Sequence, residues 1–122
     1  MAKTSVIGKE GEQAACDYLI SKGYTVRDIN WRLGHLEIDI VSEAADGLHF
    51  VEVKARKAPV TTSIDDQVTL LKRKRISAAA LKYLNNNKLE GREVFFDVVS
   101  VMFNGTETVV RYIPQAWIPM YT

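Results

Sequence analysis

The sequence is short of the features that mark secreted, membrane-spanning and disordered proteins. Cys16 is its only cysteine, so an internal disulfide is excluded and a reducing compartment is expected. The longest apolar run covers residues 78–81, far below the roughly 20 residues that cross a bilayer. Residues 1–13 lack the apolar stretch of a secretory signal. We therefore expect a cytoplasmic protein that has no membrane partner.

Net charge is also nearly absent, at +1, but the charges are separated along the chain. Residues 9–52 carry nine acidic and four basic side chains, whereas residues 54–75 carry seven basic and two acidic ones. Such a separation allows an acidic pocket to lie beside a basic surface. The two together suit a polyanion that is bound through a metal ion.

With 122 residues, of which 47% are hydrophobic, the chain has the size and composition of a single globular domain over residues 1–122. Hydrophobic periodicity and turn residues predict a helix, three strands, a second helix and two more strands. The predicted bounds, in that order, are 8–22, 24–29, 36–42, 48–57, 65–84, 93–103 and 108–113. This order is typical of a mixed α/β domain.

Charged residues recur along the two strands that flank Asp46-Gly47, a pair favoured in hairpin turns. Strand alternation places Asp39 and Val41 on one face and the two neighbouring isoleucines on the other. A two-residue turn at Asp46-Gly47 would place Asp39 opposite Lys54. Glu52 would then lie opposite Val41 and diagonal to Asp39, close enough for both carboxylates to bind one ion.

This set of side chains suits metal-dependent hydrolysis of a phosphodiester bond. Carboxylate oxygens of Asp39 and Glu52 are ligands that Mg²⁺ prefers, and Lys54 could position or deprotonate the attacking water. Glu12 lies within the apolar stripe of the first predicted helix, where a carboxylate needs a partner. The alternative is structural: Glu12 at a partly exposed edge of the helix or in an ion pair with a core Lys or Arg, and a polar hairpin face with Asp39 paired to Lys54.

The same residues fall within a longer pattern that resembles a known family, the YraN-like proteins of bacteria. The resemblance rests on GKEGE at residues 8–12, Gly23-Tyr24, Asn30-Trp31-Arg32, EIDI at residues 37–40, FVEVKAR at residues 50–56 and FDVV at residues 96–99. The function of these proteins is unassigned. They are predicted to have the restriction-endonuclease-like core of the PD-(D/E)XK nucleases, a central mixed β-sheet flanked by helices, and are similar to archaeal Holliday-junction resolvases.

By this resemblance, Asp39, Glu52 and Lys54 would form the catalytic core. Glu12 would complete a site for Mg²⁺ or Mn²⁺ together with Asp39 and Glu52. Glu37 matches a further acid of the family, whose role the resemblance does not define.

The sequence departs from these family patterns at two positions beside the proposed site. Ile38 stands where the nuclease motif has proline, and Leu36 stands where YraN-like proteins commonly have glycine. Neither departure removes a functional group.

Four consecutive basic residues lie within the second predicted helix, at positions 72–75. Lys72 falls at the centre of the helix's apolar side and Arg75 at its edge, so both are expected to approach the acidic cluster or a phosphate, unless they snorkel to solvent. Arg73 and Lys74 are expected to point into solvent. The candidate contacts to nucleic acid are Arg32, Arg56, Lys72, Arg73, Lys74 and Arg75.

Other conspicuous residues favour structural roles. Trp31 is expected in the core rather than stacked on a base. His35 and His49 lack the spacing of a zinc site. Asp97 lies in an apolar strand and is expected to pair with a basic group, and Cys16 is expected to be buried and inert.

The sequence therefore predicts an endonuclease that depends on Mg²⁺ and acts on DNA, including branched DNA. A nucleic-acid-binding module without turnover is one alternative, and a protein-interaction scaffold is another. A homodimer would suit a two-fold substrate, but the sequence identifies no interface.

Overall fold

The computed structural model describes residues 6–58 and 68–119 of the chain. Two helices and five strands make up this part of the protein. In chain order they are α1 (Val6–Ser21), β1 (Thr25–Leu33), β2 (Leu36–Ala44), β3 (Gly47–Lys57), α2 (Leu70–Asn86), β4 (Val94–Asn104) and β5 (Glu107–Trp117). The predicted order of helices and strands is confirmed.

The five strands form one mixed sheet in the order β1-β2-β3-β4-β5. Neighbouring strands are antiparallel except β3 and β4, which are parallel and are connected through α2. A parallel pair needs such a crossover, because the chain must return to the same end of the sheet. The architecture confirms the predicted α/β class and is consistent with a restriction-endonuclease-like core.

Each face of the sheet is covered by one helix, and each interface has its own hydrophobic core. On one face α1 contributes Ala15, Cys16 and Leu19, which pack with Ile40, Val51, Val99 and Val101. On the other face α2 contributes Ile76, Ala79, Ala80, Tyr83 and Leu84, which pack with Phe50, Phe96 and Val98. Trp31 packs edge-on against Tyr83, and Cys16 is buried, as the sequence predicted.

The predicted register of the β2–β3 hairpin was wrong by two residues. Ala44 pairs with Gly47 and Ile40 with Val51, so the turn consists of Ala45 and Asp46. Gly47 is not a turn residue because it starts β3 at a φ of 146° and lies against Glu93. A Cβ atom there would meet the backbone of Glu93, so glycine allows a close approach between chain segments.

The predicted alternation of side chains between the two faces of β2, with Ile38 and Ile40 on the same face, was also wrong. Ile38 packs in the core beneath α2, whereas Ile40 packs in the core beneath α1. The β1–β2 register aligns the intervening Asp39 with Asn30, which has a φ of 53°. This left-handed conformation interrupts the regular pleat where the two strands meet.

The second helix starts later than predicted. Thr69 has an extended backbone and its side chain accepts a hydrogen bond from the Lys72 backbone N–H, so α2 begins at Leu70. Val68 is buried but not helical, and residues 65–67 of the predicted helix lie outside the described residues.

The last strand extends beyond Pro114, where the sequence predicted an end. Edge strands tolerate proline because one side of the strand has no neighbour to receive a hydrogen bond. The register shifts between Phe96 and Val98, so that the residues around Pro114 form an irregularity opposite Asp97.

No helix within residues 6–58 and 68–119 is long and apolar enough to cross a membrane.

Candidate functional site

A polar groove of about 320 Å³ lies between the sheet and the N-terminal half of α2. Three acidic residues of β2 and β3 face basic residues from the first turns of α2 across it. The lining residues are His35, Glu37, Asp39, Glu52, Thr69, Leu71, Lys72, Arg75 and Ile76. The separate acidic and basic segments of the sequence therefore meet in one place.

Asp39 and Glu52 form the acidic centre of the groove. Continuing the β2–β3 register beyond Ile40 and Val51 places Asp39 level with Glu52, rather than with Lys54 as predicted. Glu52 is only 6% exposed, and the Asp39 Oδ2 atom accepts a hydrogen bond from the Val53 backbone N–H at 2.9 Å. The two carboxyl groups are therefore held side by side by the backbone of adjacent strands.

This arrangement changes the protonation of Asp39. Burial and the nearby charge of Glu52 raise the pKa of Asp39 to about 8, against a smaller opposite effect from the Val53 N–H. A hydrogen bond between the two carboxyl groups also favours the protonated form. Near neutral pH the pair therefore holds a proton in place of a second negative charge.

Lys72 provides the positive charge that faces this pair. Its Nζ atom lies 2.5 Å from Glu52 Oε2, so the prediction that Lys72 reaches the acidic cluster is confirmed. Burial alone would lower the pKa of Lys72, but the hydrogen bond to Glu52 and the charges of Glu52, Asp39 and Glu37 outweigh burial and raise it. Lys72 therefore remains an ammonium ion at neutral pH, and Arg75 lines the same groove.

Glu12 does not join Asp39 and Glu52 in a ready-made metal site. Its Oε1 atom accepts a hydrogen bond from Asn30 Nδ2 at 2.9 Å. Within the described ranges, no set of three His, Cys, Asp or Glu side chains is arranged to hold a metal ion. Glu12 is nonetheless near enough for its charge to contribute to the raised pKa of Asp39.

The close packing of α1 against β3 explains why Glu12 lies near enough to Asp39 to affect its pKa. Gly11 is buried against Ala55, and a Cβ atom on Gly11 would overlap the Cβ atom of Ala55. The absence of a side chain at Gly11 lets α1 lie close to the strand that carries Glu52. The neighbouring Glu12 is consequently carried toward the end of the β2–β3 pairing.

Lys54 and Arg56 follow Glu52 on β3 and are half-buried. Both have the parity of Glu52 along the strand, and they pair in register with Ser100 and Met102 of β4. Lys54 therefore lies two residues beyond Glu52, on the same face of β3.

The remaining basic candidates differ in their surroundings. Arg32 forms an exposed ion pair with Glu37 at 2.9 Å. Lys74 is exposed, as predicted. The prediction that Arg73 is solvated was wrong, because its Nε atom donates to the Val68 carbonyl at 2.7 Å and the side chain is half-buried. The carbonyl lies just before the helix cap, where helical periodicity does not predict a partner.

A buried polar network, away from the groove, explains Asp97. This carboxylate is fully buried and accepts hydrogen bonds from the Tyr112 hydroxyl at 2.6 Å and the Gln115 N–H at 2.9 Å. Its basic partner is His49, at 2.6 Å from Nδ1, and the other ring nitrogen of His49 lies 2.8 Å from Asp46. The expected basic partner of Asp97 is thus confirmed.

The two carboxylates determine the charge of His49. Burial would lower the pKa of His49, but the hydrogen bonds to Asp97 and Asp46 outweigh burial and raise it. Donation from both ring nitrogens requires the imidazolium form. The network ties the β2–β3 turn to β4 and β5 and has a structural role.

Sequence reasoning missed Asn30 as the hydrogen-bond partner of Glu12. The residue type gave one indication of its unusual conformation, because asparagine is one of the few residues that readily adopt a left-handed backbone. The partner of its side chain, Glu12, lies 18 residues earlier, and only the folded chain brings the two together.

Fold and groove together define an α/β protein in which an acidic pair on a five-stranded mixed sheet faces basic residues of a helix, an architecture consistent with a restriction-endonuclease-like core. Comparison of the sequence with known families gives a match to "Uncharacterised protein family UPF0102" over residues 11–101. The chain belongs to this family.

Relatives match over nearly the full length of the chain. A "UPF0102 protein" of Myxococcus xanthus is 39% identical over 110 residues, which cover 90% of this chain and 87% of the relative. Another "UPF0102 protein", of Phocaeicola vulgatus, is 38% identical over 119 residues, which cover 98% of both chains.

Proposed function

We propose that this protein is a metal-dependent nuclease that hydrolyses phosphodiester bonds of DNA, including branched DNA. The observation that carries the proposal is the Asp39–Glu52 carboxyl pair, which lies in a groove bordered by Lys72 and Arg75. Negative charges gathered beside positive ones suit a phosphate that is bound through a cation.

The chemistry of the acidic pair fits Mg²⁺ or Mn²⁺. Mg²⁺ is typically bound through one or two carboxylates together with water and substrate phosphates. Asp39 and Glu52 supply two such carboxylates. The raised pKa of Asp39 reflects its burial and, second to that, the negative charge of Glu52, and a divalent cation would offset this repulsion between the two carboxylates. Asp39 and Glu52 would hold the ion, and Glu12 is the candidate for a third ligand. When bound, Mg²⁺ lowers the pKa of its water and neutralises charge on the phosphate.

The basic residues divide into two roles. Lys54, one strand repeat beyond Glu52, is proposed to orient or deprotonate the attacking water and to stabilise charge in the transition state. Lys72 and Arg75 are proposed to bind phosphates on the groove side of α2. Arg32, Arg56 and Lys74 are more peripheral candidates for backbone contacts.

A cleavage assay on defined DNA substrates tests the proposal. Duplex, single-stranded, flapped and four-way-junction DNA would be incubated with the protein and Mg²⁺ or Mn²⁺. We expect metal-dependent cleavage of at least one substrate, and no cleavage by Lys54→Ala. Equal cleavage by wild type and Lys54→Ala would show that the activity does not come from this site.

The Lys72–Glu52 ion pair favours one alternative, a scaffold that uses its acidic residues for internal ion pairs. An ammonium ion at 2.5 Å satisfies the buried Glu52 carboxylate without a metal. The scaffold predicts that Mg²⁺ and Mn²⁺ do not change the thermal unfolding midpoint. The nuclease proposal predicts that they raise it, because a ligand of the folded state stabilises that state.

A further inference from the structure

We propose that Lys72 couples metal binding to phosphate binding, because its ammonium group pairs with Glu52 until a phosphate of the DNA backbone draws it away. This inference rests on the proposed function and concerns how the same acidic site is regulated. It is carried by the ion pair between the two residues, by their unequal exposure and by the position of Lys72 in the first turn of α2.

The Lys72–Glu52 ion pair opposes metal binding at the acidic pair. The Nζ atom of Lys72 lies 2.5 Å from Oε2, one of the two oxygens with which Glu52 could bind a cation. A divalent cation on Glu52 would therefore lie close to the ammonium ion, and solvent screens such a repulsion weakly beside a buried group. Tight metal binding consequently requires Lys72 to leave Glu52.

The two partners of the ion pair differ in their freedom to move. The side chain of Glu52 is 6% exposed, whereas the side chain of Lys72 is 56% exposed. Glu52 belongs to β3, the central strand of the sheet, which pairs with a strand on each side. Lysine carries its charge on a flexible four-carbon stem. Lys72 is therefore the partner that can move away, while the Glu52 carboxylate stays in place.

The helix cap keeps the backbone of Lys72 beside the groove. Its N–H donates to Thr69 Oγ1 at 3.2 Å, which fixes the first turn of α2. Thr69, Lys72 and Arg75 all line the groove that holds the acidic pair. A phosphate that enters the groove would thus meet the basic side of the helix, where it offers the Lys72 ammonium group a second anion.

Glu52 and the phosphate compete for the same ammonium group. Phosphate binding therefore frees Glu52 for a metal ion, and metal binding frees Lys72 for the phosphate. Thermodynamic linkage requires that each ligand raises the affinity for the other by the same factor. The acidic pair would accordingly bind metal most tightly when DNA is in the groove.

The test measures Mn²⁺ affinity by calorimetry, with and without a four-way-junction DNA. All proteins would carry Lys54→Ala, which is expected to keep metal binding and to leave the DNA intact. Lys72→Met removes the ammonium group, and Lys72→Gln repeats the test with a polar side chain. Arg75→Met is the control that removes another positive charge from the same groove. Thermal unfolding without metal checks that each variant is folded.

Without DNA, we expect both Lys72 variants to bind Mn²⁺ about tenfold more tightly than protein that retains Lys72, and Arg75→Met to show a smaller gain. DNA should raise Mn²⁺ affinity more in protein that retains Lys72 than in Lys72→Met, where only direct contact between metal and phosphate remains. The coupling would be overturned if neither Lys72 variant gained affinity, if Arg75→Met gained as much, or if DNA had the same effect with and without Lys72.

The failure of this inference can be distinguished from the failure of the proposed function. Absence of Mn²⁺ uptake by every protein would overturn both. The expected Mn²⁺ affinities, without cleavage of any DNA substrate by wild type, would support the coupling and overturn the nuclease. Metal-dependent cleavage by wild type, together with Mn²⁺ affinities that the Lys72 substitutions leave unchanged, would overturn the coupling alone.

Discussion

At the scale of single residues, Asp39 links the acidic pair to pH. In the unfolded chain its carboxyl group would have an ordinary pKa near 3.8, whereas burial and Glu52 raise the pKa to about 8 in the folded protein. The folded state therefore binds more protons than the unfolded state between these two values. The stabilisation that comes from the raised pKa of Asp39 is fully present below the unfolded-state pKa of 3.8. It is lost as the pH rises through the folded-state pKa of about 8.

We predict that, without divalent cations, the thermal unfolding midpoint falls as pH rises from about 5 to about 9. His49 also has a raised pKa and contributes in the same direction, so wild type must be compared with Asp39→Asn. The variant should show a shallower fall. Identical pH profiles for the two proteins would contradict the raised pKa of Asp39.

Lys72 is the second residue with a specific prediction. Its ammonium group is paired with Glu52, so it both occupies the acidic site and offers a charge to a phosphate. Lys72→Met keeps the apolar stem and removes the charge. We expect tighter Mg²⁺ binding, weaker DNA binding and a salt dependence of DNA affinity that is shallower by about one counterion.

Lys82→Met is the matched control for Lys72→Met, since Lys82 is an exposed lysine farther along α2. Calorimetry would measure Mg²⁺ binding, and fluorescence anisotropy at several salt concentrations would measure DNA binding. Equal effects of the two substitutions on DNA affinity would show that Lys72 acts through general charge rather than through the groove.

At the scale of secondary-structure elements, the close packing of α1 against β3 determines where Glu12 lies. Gly11→Ala would drive a methyl group into Ala55, and overpacking of this kind costs about 1–3 kcal/mol. We expect a lower free energy of unfolding in urea and weaker metal binding, because the helix must move away from the strand.

Ala55→Gly in the Gly11→Ala background provides the control. It removes the methyl group that the new Cβ atom would meet, so both stability and metal affinity should recover in part. If Gly11→Ala proves as stable as wild type, the contact does not hold α1 in place.

Local sequence patterns predicted the elements well and their edges poorly, for identifiable reasons. The apolar periodicity of α1, β3 and β4 reflects burial on one or both sides, which local sequence records. In the β2–β3 hairpin, Gly47 starts β3 and lies against Glu93, a residue far along the chain that local sequence patterns do not identify as its neighbour. Similarly, the start of α2 is determined by the Thr69 cap rather than by hydrophobic spacing.

At the scale of the whole molecule, folding brings the acidic segment and the basic segment to one groove. The types of residue in that groove were predictable from charge and spacing: Asp39, Glu52 and Lys72 all take part. Their arrangement was not, because Asp39 lies level with Glu52 in the strand register instead of with Lys54, and Glu12 accepts a hydrogen bond from Asn30. These pairings depend on strand register and helix seating, which are properties of the assembled fold.

The central claim is that the Asp39–Glu52 pair holds a metal ion for catalysis and that Lys54 acts on the reaction itself. The most direct measurement combines Mg²⁺ titration by calorimetry with single-turnover cleavage of a junction substrate, for Lys54→Ala and Asp39→Asn. A residue that acts in the transition state changes the rate constant with little effect on ground-state binding. Lys54→Ala should therefore lose cleavage and keep Mg²⁺ binding, whereas Asp39→Asn should lose both. Cleavage by Lys54→Ala at the wild-type rate, or unchanged Mg²⁺ binding by Asp39→Asn, would contradict the account.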